Sequence, residues 1–80
     1  MNYYIIQANR KVNGKFKKLY HEKLSLCTNN SVMNVYVEHW TTRKRKAMKF
    51  YLEEEAEAME KFVSRNLLEN ETTSINEIKN

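Results

Sequence analysis

Residues 3–26 read YYIIQANRKVNGKFKKLYHEKLSL, and this stretch decides the fold. It opens on Tyr3-Tyr4-Ile5-Ile6, aromatic and β-branched side chains that suit a pleated, half-buried surface. At its centre stands Asn13-Gly14, the strongest short hairpin signal in the chain, because both residues accept the positive φ that a type I′ turn needs. The reading predicts one strand over residues 2–12 and a second over 15–26. Further along, 27–31 with Asn29-Asn30 at its centre reads as another turn, and 32–40 as a third strand. Consecutive strands with short connections pair antiparallel, so the three are expected to form a meander.

The apolar period then changes. Leu52, Ala56, Met59, Val63 and Leu67 recur at steps of three and four, the stripe of an amphipathic helix, and Phe62 widens it. Glu53, Glu54 and Glu55 fall where the helix dipole favours anions, and Arg65 lies where it favours a cation. The helix is predicted over 53–69. Between strand three and this helix, Thr41 or Thr42 is placed to cap a helical turn over 43–48, since Ala47 and Phe50 are three apart; a short fourth strand over 46–51 is the competing reading. Residues 70–80 are polar apart from Ile75 and Ile78 and are expected to be a mobile tail. The fold class is therefore α+β: a three-stranded antiparallel meander, with a short fourth strand or helical turn, packed on one C-terminal helix, residues 1–69 making a single compact domain.

Composition narrows the function. Eighty residues with 41% apolar content supply one small core, which excludes a Rossmann or barrel architecture and a deep-cleft enzyme. No run approaches the roughly 18 apolar residues of a membrane span, and the first eight residues lack the basic start of a signal peptide, so no membrane partner is expected. Cys27 is the sole cysteine, which rules out an internal disulfide and points to a reducing, cytoplasmic setting. Asn and Lys occur ten times each against one Gly and no Pro, a codon signature of a low-GC genome.

Charge is divided along the chain. Residues 1–50 hold eleven Lys or Arg against Glu22 and Glu38, a net of +9, while residues 51–80 carry a net of −5. Two basic runs stand out: Arg10, Lys11, Lys15, Lys17 and Lys18 around the hairpin turn, and Arg43, Lys44, Arg45 and Lys46 after strand three. The expected strand layout lets them meet as one phosphate-attracting patch, or leaves them as solvated turns.

Strand alternation gives the faces. Tyr4 and Ile6, with Val35 and Val37, are assigned to the helix side. Tyr3, Ile5, Tyr36 and Trp40 then lie on the open side, with Tyr3, Tyr36 and Trp40 as partner-binding candidates. Strand two fits neither parity, and a bulge near Lys17-Lys18 would reconcile it. An open aromatic face has three readings: an interface with a partner or a second copy of the chain, a stacking platform for single-stranded nucleic acid, or a surface covered by the tail through Ile75 and Ile78.

Chemistry-bearing residues are few. His21, Cys27 and His39 are the soft metal-ligand types, and none lies within four residues of another, so neither a metal site nor a Cys-His nucleophile is expected. With one glycine there is no phosphate-cradling loop. No catalytic residue and no cofactor is assigned, and the chain reads as a non-enzyme.

Trp40-Thr41-Thr42, then Ala47 and Phe50, then Glu54-Glu55-Ala56 resemble a pattern that recurs in small phage- or prophage-encoded accessory proteins of low-GC Gram-positive bacteria, many of them domains of unknown function. In those proteins a small polar cap usually precedes the Glu-Glu-Ala helix; Tyr51-Leu52 stands there in this chain. The resemblance implies an accessory protein in the cytoplasm of a bacterial host and carries no catalytic residue. Together with the aromatic face it leads to the expectation of a small binding protein that occludes a host protein or nucleoprotein, as a monomer or a homodimer. The alternative is direct nucleic-acid binding through the basic turns at 10–18 and 43–46.

Overall fold

The computed structural model describes residues 2–28, 34–64 and 71–79. Four antiparallel strands, β1 (Tyr3–Val12), β2 (Lys15–Thr28), β3 (Asn34–Thr41) and β4 (Thr72–Ile78), form one sheet in the order β3-β2-β1-β4. One helix, α1 (Glu53–Ser64), packs on a single face of it, over β1 and β4. The α+β class and the three consecutive strands agree with the sequence. The fourth strand comes from the segment expected to be a tail.

β4 pairs with β1 from Tyr3↔Ile78 to Asn9↔Thr72. An edge strand draws much of its stability from the main-chain ladder, which polar residues supply as well as apolar ones. Ile75 and Ile78 are three apart and so point to opposite faces. Ile75 sits opposite Ile6 and joins the core, whereas Ile78 sits opposite Tyr3 on the other face. Arg10 fixes the start of the strand through an ion pair with Glu71 at 2.9 Å.

The hairpin turn falls at Asn13-Gly14, with φ of 52° and 81°. A Cβ at Gly14 would meet no atom within 4 Å, so only the backbone opposes a larger residue there. Gly14→Ala is expected to cost about 1 kcal/mol, read as a lowered midpoint in denaturant unfolding.

β1 and β2 pair from Gln7↔Tyr20 to the turn and then diverge. Beyond His21 the register of β2 against β3 slips, from His21↔Trp40 to Lys23↔His39, so the bulge lies at Glu22 and not near Lys17-Lys18. The slip resolves the mixed parity of this strand: Phe16, Lys18 and Tyr20 share one face, and Leu24 lies on the other with His21. A plug fills the gap between the diverging strands. Met48 N–H donates to the His21 carbonyl at 2.8 Å, Tyr4 N–H to the Phe50 carbonyl at 2.7 Å, and Phe50 N–H to the Tyr4 carbonyl at 2.9 Å. The two readings of this connection are thus each present in part, as a 3-10 turn over Lys44–Lys46 and a strand-like bridge at Phe50. Neither threonine caps the turn by the helical pattern; the Thr41 hydroxyl accepts from Arg43 N–H at 3.1 Å.

The core gathers Ile6, Phe50, Ala56 and Val63, with Tyr4, Trp40, Met48, Met59 and Ile75 packed around them. Trp40 therefore belongs to the helix side of the sheet, and Tyr36, four residues away, shares that side, which reverses the expected assignment of β3. Val37 faces the other way, with Ser25 and the Ser25–His39 hydrogen bond of 2.9 Å. Burying Trp40 in place of a valine removes far more apolar area from water, which favours this orientation. On the open side Ile5 is only 1% exposed. Close by on that side, Tyr3 meets Tyr51 edge-to-face at 6.4 Å and takes the Lys49 ammonium over its ring at 5.1 Å. Leu52, expected in the helix stripe, is 56% exposed just ahead of α1, where its carbonyl accepts from Ala56 N–H at 3.3 Å. Arg65, Leu67 and the rest of the predicted helix to 69, the turn at Asn29-Asn30, and the side chains of Val35 and Cys27 lie outside the described residues.

Candidate functional site

The registers of the sheet isolate one feature. β4 covers β1 only as far as Asn9, and β3 covers β2 only from Tyr20 onward. Among the described residues, 10–19 therefore extend beyond the four-stranded sheet as a two-stranded ribbon. Four residue steps run from Asn9 to Asn13 in the turn, so the projection is about 13 Å long at ~3.3 Å per residue. It carries Arg10, Lys11, Lys15, Lys17 and Lys18 and no acidic residue.

Cross-strand pairing assigns each side chain a face. Arg10↔Lys17 and Val12↔Lys15 lie on the side of the sheet that holds α1, and Lys11↔Phe16 on the opposite side with Lys18. Arg10 is engaged by Glu71 at the base. The four lysines are exposed and make no ion pair among the described residues. Phe16, at 68% exposed, is the most accessible large apolar side chain among the described residues. An exposed phenylalanine ringed by lysines on a narrow ribbon contributes little to the core, and the sequence signal for it was present in Lys15-Phe16-Lys17-Lys18.

The second basic run sits at the base of this ribbon. Thr41 pairs with Tyr20, Met48 bonds to His21, and the intervening 3-10 turn packs against β2. Arg43, Lys44, Arg45 and Lys46 are all exposed there. From Tyr20 to Gly14 is six residues, about 20 Å, so this run flanks the ribbon's root and does not meet its tip. The two runs form a stripe rather than one compact patch.

The aromatic candidates do not form a common surface. Trp40 is in the core, Tyr3 is half-buried on the opposite side of the sheet, and Tyr36 is exposed at the edge of an apolar groove. That groove, about 530 Å³, exists because four strands at ~4.8 Å spacing are wider than one helix of ~10 Å diameter. With α1 over β1 and β4, the β2–β3 side stays uncovered. Leu24, Tyr36 and Phe50 floor it, and Glu55, Ala58, Met59 and Phe62 wall it. Tyr36 and Phe62 meet edge-to-face at 5.9 Å across its mouth.

His21 is fully buried on the same side. Its ring stacks on Phe50 (6.3 Å between centroids) and meets Trp40 edge-to-face at 5.8 Å, and neither ring nitrogen has a hydrogen-bond partner among the described residues. Burial pushes its pKa below the ordinary value of 6.5, against a smaller opposing pull from the carboxylate of Glu38. His39 lies on the other face of the sheet, so the two histidines do not converge. No group of three or more His, Cys, Asp or Glu suited to a metal ion occurs among the described residues. Nor is any described helix long and apolar enough to cross a membrane.

Comparison with family models, curated proteins and solved structures returns no match. The functional reading therefore rests on this geometry.

Proposed function

We propose that this chain is a small non-enzymatic protein that binds nucleic acid, with the β-ribbon at 10–19 as its main contact and the run at 43–46 as a flanking one. The observation that carries the reading is the ribbon itself: four lysines that make no ion pair among the described residues and an exposed Phe16, on a projection that holds no acidic residue. Glu53, Glu54 and Glu55 open α1, and Glu71, which touches the ribbon at its base, is neutralised there by Arg10. Four lysine–phosphate contacts correspond to a salt slope of about −3.6 in log K against log salt. The test is fluorescence anisotropy with labelled mixed-sequence DNA and RNA at two salt concentrations. Wild type should bind with that steep dependence. Reversing Lys11, Lys15, Lys17 and Lys18 to glutamate should lower affinity at least about 100-fold while leaving the melting temperature within a few degrees. Salt-independent binding, or full affinity in the reversed variant, would overturn the reading.

A second reading has an observation of its own. The apolar groove beside Tyr36 and Phe62 suits a protein partner, as the occlusion of a host protein by a phage accessory factor would need. It ranks below the first because the aromatic face on which that expectation rested is divided between core and two surfaces. In a pull-down from a low-GC Gram-positive lysate, retention that survives nuclease and is lost in Tyr36→Ala/Phe62→Ala would promote it.

A further inference from the structure

Resting on the nucleic-acid reading, we infer that the ribbon takes double-stranded DNA, entering the major groove between the two phosphate backbones. The reason is that its charge is two-sided. Lys15 and Lys17 point to one face and Lys11 and Lys18 to the other. A single strand lying on a sheet meets one face only, and lysines on the reverse would then contribute nothing. A groove has a phosphate wall on each side, and a ribbon inserted into it uses both faces at once.

Dimensions agree. The major groove of B-form DNA is about 12 Å wide and 8.5 Å deep and admits a two-stranded ribbon. A projection of about 13 Å reaches its floor, whereas the minor groove, at about 6 Å, is too narrow. Double-stranded RNA is disfavoured because its major groove is deep and narrow. A single-strand platform is disfavoured for a second reason: it needs several aromatic rings on one face, and Phe16 is the one aromatic residue in 10–19. Near the tip, Phe16 is placed to pack on the C5 methyl of thymine, the apolar mark that the major groove offers.

The test uses the full chain and three labelled probes of equal length: duplex DNA, single-stranded DNA and duplex RNA. Duplex DNA should bind at least tenfold tighter than either of the others. Lys11→Gln/Lys18→Gln and Lys15→Gln/Lys17→Gln each remove one face, and each should reduce the salt slope by about 1.8. Phe16→Ala should weaken binding several-fold without changing the slope. Equal or better binding of single strands or RNA, or a slope that responds to one lysine pair and ignores the other, would overturn groove entry and leave the nucleic-acid reading standing. Absence of salt-dependent binding to all three probes would remove both.

Discussion

Ala56→Asp is expected to abolish cooperative folding. Ala56 is completely buried between α1 and the sheet, in the cluster with Ile6, Phe50 and Val63. A carboxylate there has no room to turn outward. Leaving it unpaired costs several kcal/mol, and a core of this size has a margin of only about 3–5 kcal/mol. The variant should show no sigmoidal thermal transition by circular dichroism and no dispersed amide spectrum. Ala56→Gly separates the charge from the helix effect and should cost about 1 kcal/mol. Met59→Asp should be the milder of the two aspartate variants, because Met59 is half-buried where the apolar groove opens and its replacement can reach solvent. A folded Ala56→Asp with wild-type stability would show that α1 does not seal the core through this residue.

What the sequence conveyed follows from what side-chain patterns encode. The hairpin at Asn13-Gly14 was legible because its φ values demand particular residues. The first three strands and the start of α1 at Glu53 were legible because apolar periods change between them. β4 was not, since Thr72–Ile78 holds two isoleucines three apart that anchor opposite faces and mimic no period. Its pairing is written in main-chain hydrogen bonds, to which composition is nearly blind. The bulge at Glu22 carries no glycine or proline to announce it, and placing it there rather than near Lys17-Lys18 puts Tyr20 on the face of Phe16 and His21 on the helix side.

The site followed the same division. Charge is a property of composition, so the lysines that matter were visible as a run. Their two-sidedness and their projection depend on where β3 and β4 stop pairing, at Tyr20 and Asn9, and that is tertiary information. The aromatic face failed for a related reason. Alternation groups Tyr36 with Trp40, but only the packing of α1 decides which group is buried, and Trp40 is the larger prize. The helix then covers β1 and β4 and reaches Tyr36 at its edge through Phe62, which leaves one member of that group in the core and the other on the groove.

His21→Phe should make the protein more stable and remove most of its sensitivity to mild acid. The imidazole is enclosed between Trp40 and Phe50, with both nitrogens lacking hydrogen-bond partners among the described residues. A buried polar atom without a partner costs about 1–3 kcal/mol, and an apolar ring of similar shape avoids that cost. The main chain is unaffected, because the Met48 N–H bonds to the carbonyl of residue 21 whatever its side chain. A gain of about 1 kcal/mol at neutral pH is expected. The pH dependence follows from the same burial. The folded-state pKa of His21 lies below 6.5, with desolvation outweighing the pull of Glu38, so the unfolded chain binds the proton more readily. Stability is then fully present above about pH 6.5 and is lost as pH falls through the folded-state value. Denaturant midpoints taken from pH 7.5 downward should decline in wild type and stay much flatter in His21→Phe. Because His39 and the carboxylates are retained, the difference between the two curves isolates His21. Parallel curves would mean that the imidazole is solvated in the folded protein, and a less stable His21→Phe would mean that its nitrogens are satisfied there.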